Sequence, residues 1–156
     1  MLKIKLSEKS KELIKRIKGI EGKTWLQIMQ TVVNQITWYI IGEVQDNLTG
    51  KVLNVGTGGA LRNSIKKDST QENDGKTFLS RIGNNLIYAR IHEYGGVIKA
   101  KKAKALRFQI GGKWVMVKSV TMPERSYLRT AVNDNKDNIL KIFEFEFMRG
   151  LKEALA

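Results

Sequence analysis

The chain opens on an alternation: Leu2, Ile4 and Leu6 are separated by Lys3 and Lys5, the period of a short half-buried strand. Ser7 offers a side-chain oxygen as an N-cap, and Leu13, Ile14 and Ile17 then form a helical stripe that ends at Gly19. The next segment carries the longest periodic run. Trp25, Ile28, Met29, Val32, Val33, Ile36, Ile40, Val44 and Leu48 recur at spacings of three and four, with Thr24 and Gln27 as a capping box and Gly50 as the stop. This predicts a helix over about 25–48, near 37 Å long, against which a sheet can pack.

Residues 52–59 read as a loop and 60–65 as one helical turn. Residues 64–83 suggest two strands about the polar turn Glu72-Asn73-Asp74-Gly75, with Phe78, Ser80 and Ile82 alternating on the return. A short helix at 86–94 closes at Gly95-Gly96. Residues 104–119 form a hairpin about Gly111-Gly112, a register that opposes Ile110 to Lys113, Phe108 to Val115 and Leu106 to Val117. One face is then apolar, and the other carries Arg107, Gln109, Trp114, Met116 and Lys118. A mixed face with Trp and Met is either covered by another element or used as an interface. After Pro123, Ile139, Phe143, Phe147, Leu151 and Leu155 recur every four residues, with Asp134 and Asp137 near the helix start. Residues 142–148 (IFEFEFM) also alternate with period two, but length and flanking pattern favour a helix.

These elements predict an α+β fold: an antiparallel sheet with a β-hairpin at about 104–119 packed on the long helix, plus a C-terminal helix. A length of 156 residues suits one domain, 1–156, with a strand and two helices over 1–50, a sheet-rich part over 51–129 and the C-terminal helix over 130–156. The N-terminus has no continuous apolar core, so no signal peptide is expected, and no stretch of about 20 apolar residues suits a membrane span.

Charge sharpens the picture. The chain has 28 basic and 15 acidic residues, a net +13, with one His and no Cys. Residues 1–23 hold eight basic and three acidic side chains, spread along a predicted helix. Residues 97–129 hold nine basic side chains against Glu124 alone. Lys99, Lys101, Lys102 and Lys104 crowd together and are followed by Arg107, Lys113 and Lys118. That cluster is either the footprint of an anionic partner or a mobile basic loop.

Catalytic signatures are sparse. The triplets Gly22-Lys23-Thr24 and Gly75-Lys76-Thr77 lack the upstream glycine of a phosphate loop, since Ile17 and Thr70 stand there. Gly56-Thr57-Gly58 starts a dinucleotide pattern that Leu61 breaks. Asn133, Asn135, Asp137 and Glu144 have calcium-loop spacing, but the first is not Asp and Asn138 replaces the turn glycine. Glu144 and Glu146 point apart on a helix. His92 beside Glu93 suggests a general base, yet no nucleophile, orienting group or charge stabiliser accompanies it. One His without Cys makes no zinc site. No enzyme, metal or cofactor is expected.

Three stretches resemble one family together. They are Thr57-Gly58-Gly59-Ala60-Leu61-Arg62-Asn63-Ser64-Ile65, then Tyr88-Ala89-Arg90-Ile91-His92-Glu93-Tyr94-Gly95-Gly96, then Ala103 to Phe108 through Gly111 to Val115 and on to Met122-Pro123-Glu124-Arg125-Ser126-Tyr127-Leu128. Their order and spacing over about 57–132 resemble the phage virion morphogenesis family, the tail completion proteins of tailed phages and prophages. The matching positions are Gly58, Gly59, Leu61, Ser64, Tyr88, Ala89, His92, Glu93, Gly95, Gly96, Pro123, Arg125 and Leu128. The family's third motif usually reads Pro-Ala-Arg-Pro-aromatic-Leu; here Glu124 and Ser126 replace the alanine and the second proline.

The resemblance implies a small α+β protein that acts by assembly, as a ring, often sixfold, at the head-proximal end of the tail. It implies contacts with copies of itself and with other tail or connector proteins, no membrane, and residence in the bacterial cytoplasm before the virion tail. The four motif glycines would provide tight turns with positive φ. Arg62, Arg90 and Arg125 are either inter-subunit ion-pair donors or surface charge. Trp114 and Met116 are the expected subunit contact, and the lysine cluster with Arg107 would face DNA in a lumen or an acidic neighbour. The rival reading is a nucleic-acid-binding module without sequence specificity, with lysines on phosphates and Trp114 or Tyr127 stacking.

Overall fold

The computed structural model describes residues 15, 19, 22–67, 71–73, 77–101 and 103–156. The expected strand at 2–6, most of the helix after Ser7, and the centre of the turn at 74–75 lie outside the described residues. Helices and small antiparallel sheets make an α+β protein, as the pattern predicts. The chain divides into two compact units: the described part of Met1–Tyr39 with Lys67–Ile82 and Asn135–Ala156, and Ile40–Lys66 with Gly83–Asp134.

Helix α1 (Gly22–Asn47) has 26 residues and is about 39 Å long. It already includes Gly22, so Thr24 lies within the first turn and is not the N-cap its capping-box spacing suggests. In the first unit α1 packs on the C-terminal helix through Ile28, Val32 and Leu151, with Ile36, Phe143 and Phe147 against them. Trp25 meets the Phe147 ring edge-on at 5.8 Å, and Phe143 stacks on Phe147 at 5.6 Å. Gly150 permits this approach, because a Cβ there would lie 2.9 Å from Ile28 Cγ2. Residues 142–148 are therefore helical: the four-residue spacing of the partly buried Phe143 and Phe147 rings prevails over the local alternation.

The chain after Pro123 makes two helices rather than one. Asn135, at φ −112° and ψ 18°, ends the run of helical backbone between them. Its side-chain oxygen accepts hydrogen bonds from the Tyr39 hydroxyl at 2.6 Å and from Asn138 Nδ2 at 3.2 Å.

The remaining elements are α2 (Ala60–Asn63), β1 (Lys66–Lys67), β2 (Gln71–Asn73), β3 (Thr77–Leu79), β4 (Ile82–Gly83), α3 (Ala89–Tyr94), β5 (Gly96–Lys99), β6 (Leu106–Ile110), β7 (Lys113–Val117), β8 (Ser119–Met122), α4 (Tyr127–Asp134) and α5 (Lys136–Leu155). Strands β2 and β3 pair antiparallel, Gln71 opposite Leu79 and Asn73 opposite Thr77. The short helix expected from 86 starts at Ala89, after a turn closed by Ala89 N–H donating to Leu86 O at 3.0 Å. The second unit buries Ile40, Ile41 and Val44 of α1, Leu48 just after it, Leu61 of α2, Ile65, Ala89 of α3, and Tyr127 and Ala131 of α4.

Candidate functional site

The second and third sequence motifs meet at one carboxylate. Glu93, in α3, is buried, and its Oε2 accepts the Leu128 N–H at 2.9 Å while Oε1 accepts the Arg129 N–H at 3.1 Å. Those two amides belong to the first turn of α4, whose donors have no partner within the helix. Glu93 thus caps a helix 35 residues away along the chain. Arg129 completes the lock. Its Nε donates to Glu93 Oε1 at 3.1 Å, and its Nη2 donates to Glu93 O at 3.2 Å and Glu124 Oε1 at 2.7 Å. Its guanidinium also lies 4.7 Å over the Tyr94 ring. The hydrogen bond to Glu93 raises the Arg129 pKa above the usual guanidinium value.

The backbone between Pro123 and Tyr127 is fixed from the same helix. Arg125 and Ser126 donate their N–H groups to the carbonyls of His92 and Glu93, both at 3.0 Å. Ser126 has φ +54°, so a proline there would supply neither that φ nor that N–H. Tyr127 is buried, its carbonyl accepting from Asn47 Nδ2 at 2.9 Å and its hydroxyl from Asn84 Nδ2 at 3.4 Å. Glu124, Ser126, Arg129, Asn47 and Asn84 carry no sequence signal for these roles, which arise only when distant segments meet.

The motif glycines divide into two classes. Gly95 and Gly96 have positive φ, 67° and 137°. A Cβ on Gly95 would also lie 2.7 Å from Glu124 N, so it is the glycine that admits the third motif. The first pair corrects the expectation of positive φ. Gly59 has φ −62° and is required by space, its Cβ position being 2.4 Å from Val55 O. Gly58 has nothing within 4 Å and no such φ. Leu61 is buried and Ser64 Oγ donates to its carbonyl at 2.8 Å, closing α2.

His92 is half-buried, with Tyr88 edge-on at 6.1 Å and no hydrogen-bond partner for Nδ1 among the described residues. Burial, then the Arg125 charge, push its pKa below the usual 6.5. Its backbone carbonyl accepts the Arg125 N–H, which ties it into the same motif framework. Among the described residues no cluster of acidic or histidine side chains suits a metal ion, and no helix is long and apolar enough to cross a membrane.

The exposed chemistry lies on an arm. Strand β5 pairs antiparallel with β8, Lys99 opposite Ser119, and β6 pairs with β7 in the predicted register, Leu106 opposite Val117 and Ile110 opposite Lys113. Gly111 and Gly112 close the tip with φ 55° and 77°, the paired positive values of a two-residue hairpin turn. Residues 96–122 therefore form two successive two-stranded ladders, and no described residue in them is buried. Trp114 is 59% and Met116 68% exposed, with Arg107 stacked 4.2 Å over the Trp114 ring. Lys99, Lys101 and Lys104 are exposed; Lys102 lies outside the described residues. Ile98, Leu106, Phe108, Val120 and Met122 from both ladders line an apolar groove of about 290 Å³. Ile87, 98% exposed, is a further surface hydrophobe that periodicity did not single out.

A profile of the phage virion morphogenesis family matches residues 43–146. The chain belongs to this family. No curated protein and no solved structure matches. The matched span contains the Glu93 lock and the whole arm, and it extends beyond the resemblance read from 57–132 to the end of α1 and into α5. As a virion morphogenesis protein, the chain has a part in phage virion assembly.

Proposed function

We propose that this protein completes the phage tail and joins it to the head by forming a ring of identical subunits, without enzymatic activity. The observation that carries the reading is the arm of a virion morphogenesis protein, whose Arg107, Trp114 and Met116 face is open to solvent. Aromatic residues, Met and Arg are the types enriched in protein interfaces. The charge of the arm favours a ring over a two-fold dimer built arm against arm. Residues 96–122 contain seven basic and no acidic side chains, so two arms laid together repel. Each arm therefore lands on a different surface of its neighbour, a heterologous contact that closes into a ring when the rotation allows. Other tail or connector proteins cover the remaining faces, in the bacterial cytoplasm during assembly and in the virion tail afterwards.

Native mass spectrometry and light scattering over a concentration series test this. The expected result is a discrete oligomer that Trp114→Ala shifts toward monomer. A strict monomer at high concentration, unchanged by Trp114→Ala, overturns the proposed interface.

A further inference from the structure

The two ladders of the arm are out of step. Lys99 stands opposite Ser119 and Leu106 opposite Val117, so the sequence has six positions (100–105) between these pairs on one side and one, Lys118, on the other. Ala100 takes the paired place, donating its N–H to Lys118 O at 3.1 Å, which leaves residues 101–105 in excess. Insertions in a ladder re-aim side chains and are built features rather than defects. This one has a narrow composition, Lys101, Lys102, Ala103, Lys104 and Ala105, with Lys99 just before it.

We infer that Lys99, Lys101 and Lys104 form a contact surface for the phosphate backbone of duplex DNA, distinct from the Trp114 and Met116 face. The two surfaces of the arm differ in kind. The tip has the aromatic, Met and Arg composition of protein contacts, whereas Lys is depleted there. Lysines separated by alanine offer mobile point charges without the planar fork that fixes an arginine on one carboxylate. Such charges suit a uniformly charged polymer, which releases counterions at each phosphate neutralised. No acidic side chain within 96–122 competes for them, and Lys99, Lys101 and Lys104 are all exposed. The contact reads charge and not sequence, because nothing in the insertion offers the amide or guanidinium pairs that recognise base edges.

The test is fluorescence anisotropy with a mixed-sequence duplex of about 30 base pairs, titrated between 50 and 200 mM salt, a range in which each phosphate contact adds about 0.9 to the salt slope. The variants are Lys99→Gln with Lys101→Gln and Lys104→Gln, and a control of equal charge, Lys136→Gln with Lys141→Gln and Lys152→Gln, on the exposed side of α5. The expected slope for the arm variant is shallower by about 2.7, a difference of about 40-fold in affinity across that range. The control retains the slope of the unaltered chain. Absence of binding at 50 mM salt, or equal losses in the two variants, overturns the inference. Displacement of the duplex by polyglutamate as efficiently as by unlabelled duplex at equal charge also overturns it, in favour of an acidic protein surface. The inference does not depend on ring formation, and light scattering on the same samples keeps the two apart; circular dichroism melts confirm that both variants fold.

Discussion

The surroundings of His92 set how its ring titrates. Its ring is held against Tyr88 and near the Arg125 charge, and both burial and that charge disfavour the imidazolium. The pKa is thus lower in the folded chain than in the unfolded one, so below about pH 6.5 the unfolded chain binds more protons. Stability is complete above the unfolded value, falls as pH drops through the interval below 6.5, and levels off once the folded His92 is also protonated. Thermal melts between pH 7.5 and 5 are expected to show this decline, and His92→Gln is expected to remove the share that His92 contributes. A decline of the same size in both proteins refutes the assignment. At this scale the sequence was informative where a residue's role is local. The alternation that puts Trp114 and Met116 on the other face of the hairpin from Phe108 and Val115 follows from the register, and of the two readings that pattern left, covered or open, the structure leaves both side chains exposed. The role of Glu93 was illegible, because its partners lie 35 and 36 residues away.

Among the elements, α4 depends most on a distant side chain. A helix of eight residues has little stability of its own, and its first amides are held by Glu93 rather than by a neighbouring N-cap oxygen. Glu93→Ala leaves two amides and the Arg129 guanidinium without their carboxylate. Urea unfolding is expected to register a loss of about 2–3 kcal/mol, the range for removing a buried charged hydrogen-bond partner. Arg129→Ala should cost less, since Arg129 is partly exposed and the amides keep their acceptor. Equal and small losses for both would mean that water replaces the cap. The helices and the β6–β7 hairpin were readable because each is specified within its own segment, by spacings of three and four or by two glycines at a tip. The β5–β8 ladder and the interruption at Asn135 were not. The ladder closes across the lysine insertion, and Asn135 is tied to Tyr39, 96 positions earlier.

At the scale of the whole molecule, the distribution of burial separates what holds the chain together from what it presents. Val32, Val44 and Leu48 in and beside α1 are fully buried, while the described residues of 96–122 include none that are buried. A two-stranded ribbon without a covering layer is marginal in water, and segments with few buried contacts open locally at a small fraction of the global free energy. The net charge acts in the same direction, because seven of the basic side chains repel one another along that ribbon. Hydrogen exchange should therefore divide the free protein sharply. Amides in 106–117 are expected to exchange at least about 100-fold faster than those in 28–44, since the first open by local fraying and the second only with the core. A partner that covers the arm adds the apolar burial the ribbon lacks, so protection in 106–117 should rise on oligomerisation while 28–44 changes little. Slow exchange of the arm in monomeric protein would contradict this, since it would require the ladders to be stable without any subunit or nucleic acid against them.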